Sequence, residues 1–329
     1  MPKGAEFLVL SVSIQKAKNG TDYANLQLRE PASLGGKIHQ AKVWGNVLEL
    51  KKNEKKDPPL LDGCLLKDVN YKEEEWQGKP QLTLEYYIVV ASEEANERMK
   101  SFKLAPAVDQ SKVFLKLIAW EEKWPLDLKK LFSNISKEFK QKGLLEKFLE
   151  VPAGAKNHHA RRAGLLQHVE EMVDIAEWLC RPDGPMIKYY GDIIDYPILR
   201  ASIVLHDIGK VHDYNSELYT WDATIEGEMI THTPYAALLI ERNWPTDGSA
   251  ARKLKLQHCV LAHHGKGIAP VAPLIPEASI LHIVDSISAT FDIHRTARDP
   301  EANIQFNQTL GAKPLVLDTD TYSYKQESN

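Results

Sequence analysis

Cysteine is scarce in this sequence: Cys64, Cys180 and Cys259 are three among 329 residues. They lie far apart and form no C-x-x-C pair. That argues against a disulfide framework and a thiolate zinc site, and it fits a reducing cytoplasm. An excess of one charge is lacking too. The formal net charge is −4, so bulk positive charge does not hold this chain on nucleic acid, and any such site must be local. No uncharged apolar run approaches the ~20 residues needed to span a bilayer, which predicts no membrane partner. The opening residues, Met-Pro-Lys-Gly-Ala-Glu, lack a basic segment followed by an apolar one, so no secretion signal is expected and the expected compartment is the cytoplasm. Internal repeats and low-complexity tracts are also missing.

What is there is ordinary globular composition, 43% hydrophobic and 26% charged, in a chain long enough for about two domains of ~100–200 residues. Residues 1–92 read as β structure. Runs at 7–14, 23–28, 37–44, 64–71 and 81–90 are β-rich or alternate in polarity, and Asn19-Gly20 supplies a turn. Residues 51–59 are charged and end in Pro-Pro, which predicts an exposed loop. Five short strands suggest a small closed barrel, of which the oligonucleotide-binding (OB) barrel is one solution. Residues 93–150 read as a helical linker, with Leu128, Leu131, Ile135, Phe139 and Leu145 near helical spacing. Residues 151–300 read as nearly all helix, with segments at 164–181, 196–211, 254–264 and 276–297. Residues 301–329 form a polar tail. The expected fold class is multidomain, β plus all-α: an OB-like barrel followed by an all-helical domain.

The helical part carries a scattered set of metal-ligand residue types: His168, His206, Asp207, His232, His263, His264 and Asp285. Each has a plain structural explanation. His168 lies on an apolar stripe with Leu165 and Met172, as core histidines do. His232 sits at a helix start and His263-His264 at a helix end, where capping and dipole effects apply. Asp207 and Lys210, three apart, could form a buried pair. Asp285 interrupts an apolar helical run and demands a partner, because an unpaired buried carboxylate costs several kcal/mol. Taken together, these explanations require five separate coincidences in one domain. Imidazole and carboxylate without thiolate suit Mn, Fe, Co, Ni or Zn, not calcium.

Four segments carry a resemblance: Asn-His-His-Ala-Arg-Arg-Ala-Gly-Leu-Leu-Gln-His at 157–168, Leu-His-Asp-Ile-Gly-Lys at 205–210, Glu226-Gly227 leading to His232, and Ala-His-His-Gly-Lys at 262–266. The pattern resembles the HD-domain superfamily of metal-dependent phosphohydrolases and, more narrowly, the YhaM-type 3′→5′ exoribonucleases, which also carry an N-terminal OB domain. The resemblance covers roughly residues 5–300. One departure is Thr231, where the family usually has Gly before the His.

That resemblance implies an HD domain over 151–300 and a two-metal site, manganese being the first choice of ion. His168, His206, Asp207 and Asp285 would hold one metal, and Asp207 would bridge to a second held by His232, His263 and His264. Lys210 would neutralise the phosphate charge. His158 or His159 would donate a proton to the leaving oxygen or contact the phosphate; a simple loop His pair is the competing explanation.

In the barrel, Tyr23, Trp44, Tyr71 and Trp76 could offer stacking faces, and Lys16, Lys18, Lys42 and Lys72 charge, for single-stranded RNA or DNA. Against this, Trp44 in an alternating strand reads more readily as core than as a binding face, and surface lysines are commonplace. The barrel's charges nearly cancel, with 13 Lys/Arg against 12 Asp/Glu in residues 1–91. The leading expectation is a 3′→5′ exonuclease releasing nucleoside 5′-monophosphates. The alternatives are an HD-type phosphodiesterase or phosphatase acting on (cyclic) nucleotides with a regulatory barrel, and a nucleic-acid-binding protein with a structural metal. Whether the chain forms a homo-oligomer is left open.

Overall fold

A computed structural model describes residues 4–34, 36–45, 60–61, 63–76, 78–90, 92–102, 105–121, 124–155, 157–215, 221, 223–298, 307, 309–312 and 314. The chain divides into two compact units, one ending at Ala105 and the other starting at Pro106.

The first unit is a closed five-stranded barrel of order β1-β2-β3-β5-β4. Its strands are β1 Ala5–Lys16, β2 Asp22–Arg29, β3 Ile38–Val43, β4 Leu65–Trp76 and β5 Lys79–Val89. The period-2 alternation of a pleated strand decides which residues face inward. Ala24, Leu26 and Leu28 of β2, Ala41 and Val43 of β3, and Leu82 and Leu84 of β5 all enter one core. All neighbouring pairs are antiparallel except β3 and β5, whose parallel pairing (Ala41 with Leu82, Val43 with Leu84) closes the barrel and leaves no free edge. Helix α1, Ser92–Met99, packs with Leu8, Leu65, Val90 and Phe102 beside it. The charged loop expected at 51–59, and nearly all of the tail expected at 301–329, fall outside the described residues.

The second unit is helical: α2 Gln110–Glu121, α3 Leu126–Gln141, α4 Leu144–Glu150, α5 Gly164–Cys180, α6 Pro185–Tyr190, α7 Tyr196–Leu205, α8 Lys210–Asp213, α9 Ile225–Ile230, α10 His232–Asn243, α11 Ala250–Ala262 and α12 Pro276–Ala297. No described helix is long and apolar enough to cross a membrane. Leu165, Leu166, Val169, Met172 and Val173 of α5 are buried with Leu199, Ile203 and Leu205 of α7 and Leu281 and Val284 of α12. Each such side chain stabilises by roughly 1.5–3 kcal/mol when fully buried, which fixes α5 and α12, the carriers of His168 and Asp285, and α7, which ends just before His206.

The helical linker expected over 93–150 divides between the two units at Ala105. Val113, Leu117, Leu128, Leu131, Ile135, Phe139 and Phe148 join the same core as α5 and α7. The helix expected over 196–211 stops early, at Leu205. Residues 206–209 form a tight turn closed by Ile208 N–H to Leu205 C=O and Lys210 N–H to Asp207 C=O.

Candidate metal centre

Seven side chains from five helical ends and faces converge. His168 comes from α5, His206 and Asp207 from the turn after α7, His232 from the start of α10, His263 and His264 from the end of α11, and Asp285 from the middle of α12. The possible ligand atoms of His168, His206 and Asp285 lie within 4.8 Å of one another. The same holds for His206, Asp207 and His263, and for His232, His263 and His264. Asp207 Oδ1 is 3.3 Å from His232 Nε2 and 3.6 Å from His263 Nε2. Asp285 Oδ1 is 3.1 Å from His168 Nε2.

The turn at 206–209 explains its glycine. A Cβ on Gly209 would meet the His232 carbonyl oxygen at 2.1 Å, so only glycine lets the start of α10 approach Asp207. The cost appears one residue earlier. Thr231 has φ 61° and ψ 160°, a region almost reserved for glycine. It makes no side-chain capping bond to α10. After His264 the chain turns at Gly265, φ 77°, where a side chain would also strike the His282 ring.

Outer partners hold the rings. His206 Nδ1 is 2.8 Å from the Ile203 carbonyl oxygen and His263 Nδ1 is 2.6 Å from that of Val260. Each Nδ1–H therefore donates to backbone, and each Nε2 is left as an acceptor. His232 Nδ1 donates likewise to Asp213 Oδ2 at 2.9 Å. This is the ring arrangement metal-binding histidines use. Among the described residues, His206 Nε2, His263 Nε2 and Asp207 Oδ1 are buried with no hydrogen-bond partner. Each such atom costs about 1–3 kcal/mol when unpaired, and three side by side fit the coordination of a cation. His232 Nε2 and His264 Nε2 lie within hydrogen-bond distance at 3.1 Å, and with His263 they form a second group of possible ligand atoms.

Electrostatics favour the ligand forms. Burial opposes charge on Asp207, but Lys210 and His206 outweigh it and hold the carboxyl well below its ordinary value. Lys210 Nζ is 2.6 Å from Asp207 Oδ2. Burial, reinforced by His264 and His206, drives His263 well below the usual imidazole range. Burial pushes His264 down to about 4 against the nearby Asp207 carboxylate. His206 is the exception: burial works against its charge, yet the Asp207 carboxylate raises it.

The cage opens into a cavity of about 1000 Å³ lined by His158, Asp207, Lys210, Asp213, Tyr214, His232, His264 and Asp285, among others. His158 reaches this cavity; His159 does not. The His159 ring is fully buried, 3.0 Å from Glu171 and 3.2 Å from His158 Nδ1. The expectation that His159 itself touches substrate is corrected by this placement. Sequence reading also missed Asp213, Ser288 and Glu171. Asp213 lies 19 residues from its partner His232, so no local pattern marks it. Glu171 carried one faint signal, a position one helical turn after His168.

The barrel holds a second grouping. Lys42 Nζ lies 4.8 Å from the ring centroids of Tyr23 and Trp44 and 5.3 Å from that of Trp76. Tyr23 and Trp44 are 5.6 Å apart. Trp44 is 44% exposed and Trp76 60%, so Trp44 is not core. Tyr71 is different: it packs edge-on against Phe7 beside the barrel core. Lys72 is paired with Glu85.

Residues 165–290 match the family model described as HD domain. Among curated relatives, the 3'-5' exoribonuclease YhaM of Shouchella clausii is 36% identical over 170 residues, half of this chain and half of that protein. The 3'-5' exoribonuclease YhaM of Halalkalibacterium halodurans is 29% identical over 322 residues, 93% of this chain and 89% of that protein. The chain thus spans half the length of the first relative and most of the second. No solved structure matches. The chain therefore carries an HD domain at residues 165–290 behind an OB-like barrel, and it is homologous to the YhaM 3'-5' exoribonucleases.

Proposed function

We propose that this chain is a metal-dependent 3′→5′ exoribonuclease that shortens single-stranded RNA, releasing nucleoside 5′-monophosphates. The observation that carries this reading is the trio of buried, unpartnered atoms, His206 Nε2, Asp207 Oδ1 and His263 Nε2, in a chain with exoribonuclease relatives. His168, His206, Asp207 and Asp285 would hold one divalent ion. His232, His263 and His264, with Asp207 shared, would hold the other. Manganese is the first candidate, and iron, cobalt, nickel and zinc suit the same donors. When bound, such a pair of ions supplies a water made nucleophilic at neutral pH and a counter-charge for the phosphate.

The chain's own groups supply the rest. Lys210, 5% exposed and paired with Asp207, lines the cavity and offers its ammonium to a phosphate oxygen. Burial, with His168 and Lys210 nearby, pushes His158 down to about 2. His158 is therefore a neutral hydrogen-bonding group toward substrate and not a cationic clamp. His159 acts through His158 and is a positioning residue. In the barrel, Tyr23, Trp44 and Trp76 around Lys42 offer stacking faces and one charge for a flexible strand. Single-stranded DNA would stack there equally well.

End-labelled single-stranded RNA incubated with the full chain and Mn²⁺ tests this reading. A ladder of shortening products with 5′-monophosphate release is expected. Turnover of cyclic or free nucleotides with RNA left intact would replace it by the phosphodiesterase or phosphatase reading.

A further inference from the structure

The carboxylate of Glu171 touches neither the cavity nor the cage, yet two chains of hydrogen bonds meet on it. One turn after His168 on α5, it accepts from Gln167 Nε2 at 2.8 Å on Oε1. Its Oε2 takes both Ser288 Oγ–H at 2.8 Å and His159 Nε2–H at 3.0 Å. Burial works against ionisation here, but the bonds from His159, Ser288 and Gln167 hold Glu171 at about 2. An ionised carboxylate only accepts. The direction of every bond that reaches it is therefore fixed.

Along the first chain, the Ser288 hydroxyl is committed as donor to Glu171. Its oxygen must then accept from His168 Nδ1, 2.9 Å away. His168 is left with a bare Nε2, the atom that faces Asp285 Oδ1. Along the second chain, His159 donates through Nε2. Its Nδ1 lies 3.2 Å from His158 Nδ1, within hydrogen-bond distance. The His159 backbone N–H is itself tied to Asp292, which Arg161 also grips, so the relay has a fixed anchor. His158 is thereby held with its remaining ring nitrogen, Nε2, free of this relay.

We propose that Glu171 is a positioning residue that sets two groups of the site at once: His168, through Ser288, as a ligand with Nε2 bare, and His158, through His159, in one orientation at the cavity. This rests on the metal-loaded reading above, with His168 as a ligand. Ser288 serves the first arm alone.

The test uses the full chain stripped with a chelator and titrated with Mn²⁺ by calorimetry and with Co²⁺ by visible absorption. Glu171→Gln and Ser288→Ala should each weaken Mn²⁺ binding about 10–100-fold and alter the Co²⁺ spectrum. Glu171→Gln alone should also raise KM for RNA at saturating metal, since it alone loosens His158. Glu138→Gln, which removes a carboxylate from another part of the helical unit, should leave both titrations unchanged. Mn²⁺ affinities within twofold of the unmodified chain for folded variants would overturn the inference. If Glu171→Gln does not fold, Ser288→Ala decides alone. An unmodified chain that binds neither ion overturns the proposed function, and this inference with it; normal binding by the unmodified chain and both variants overturns this inference only.

Discussion

Asp207 Oδ1 stands 3.3 Å from His232 Nε2 in a buried site where no protein donor hydrogen-bonds to it. The other oxygen, Oδ2, is already engaged by Lys210. One carboxylate thus faces the Lys210 ammonium through Oδ2 and the His232 and His263 rings through Oδ1. On the proposed reading, Asp207 would be the group shared between two ions.

Asp207→Ala removes this shared oxygen. Hydrolysis of RNA should fall to the level of the metal-stripped chain, while affinity for a long strand, measured by fluorescence anisotropy, should stay within about threefold. Near-normal turnover would remove Asp207 from the reaction.

Thr231 occupies a backbone region that costs about 1–3 kcal/mol for a residue with a side chain. Thr231→Gly relieves that strain and loses roughly 0.5–1 kcal/mol to the greater freedom of glycine in the unfolded chain. The metal-free variant should gain about 1 kcal/mol in urea denaturation, and Thr231→Ala should not. A glycine variant less stable than the original would contradict the strain assignment.

Trp44 contributes an exposed face beside Tyr23 and Lys42. A stacked base is worth about 1–3 kcal/mol. Trp44→Ala should therefore raise KM for a long RNA about 5–150-fold and leave a dinucleotide nearly unaffected. Equal losses on both substrates would take the barrel out of substrate capture.

Glu138 joins α3 to α10. It accepts from Arg242 Nη2 at 2.5 Å, Asn243 Nδ2 at 2.7 Å and Lys142 Nζ at 2.7 Å. Burial raises its pKa, but these bonds outweigh burial and lower it to about 2 from 4.5. A depressed carboxyl stabilises fully above its unfolded value and loses that contribution as pH falls toward the folded value. Stability should fall between pH 4.5 and 2, and Glu138→Gln should remove up to about 1 kcal/mol of that slope. An unchanged acid limb in thermal melts would show that the bonds are not formed in solution.

Periodicity made much of this fold legible. The alternating strands at 23–28 and 37–44 and the apolar stripe of Leu165, Val169, Met172 and Ala176 are dictated by the pleat and by the helical turn, which act over a few residues. The ligand residue types were legible because buried imidazoles and carboxylates are costly without a partner. Tertiary structure alone decided what no short-range rule encodes. It ended α7 at Leu205, because α10 must come close enough to touch Gly209. It turned Trp44 outward against Lys42 and put His159 behind His158. It also tied His168, through Ser288, to Glu171. Ser288 stands 120 residues from His168 and 117 from Glu171, and contacts over such separations exist only once packing of the apolar faces has brought α5 and α12 together.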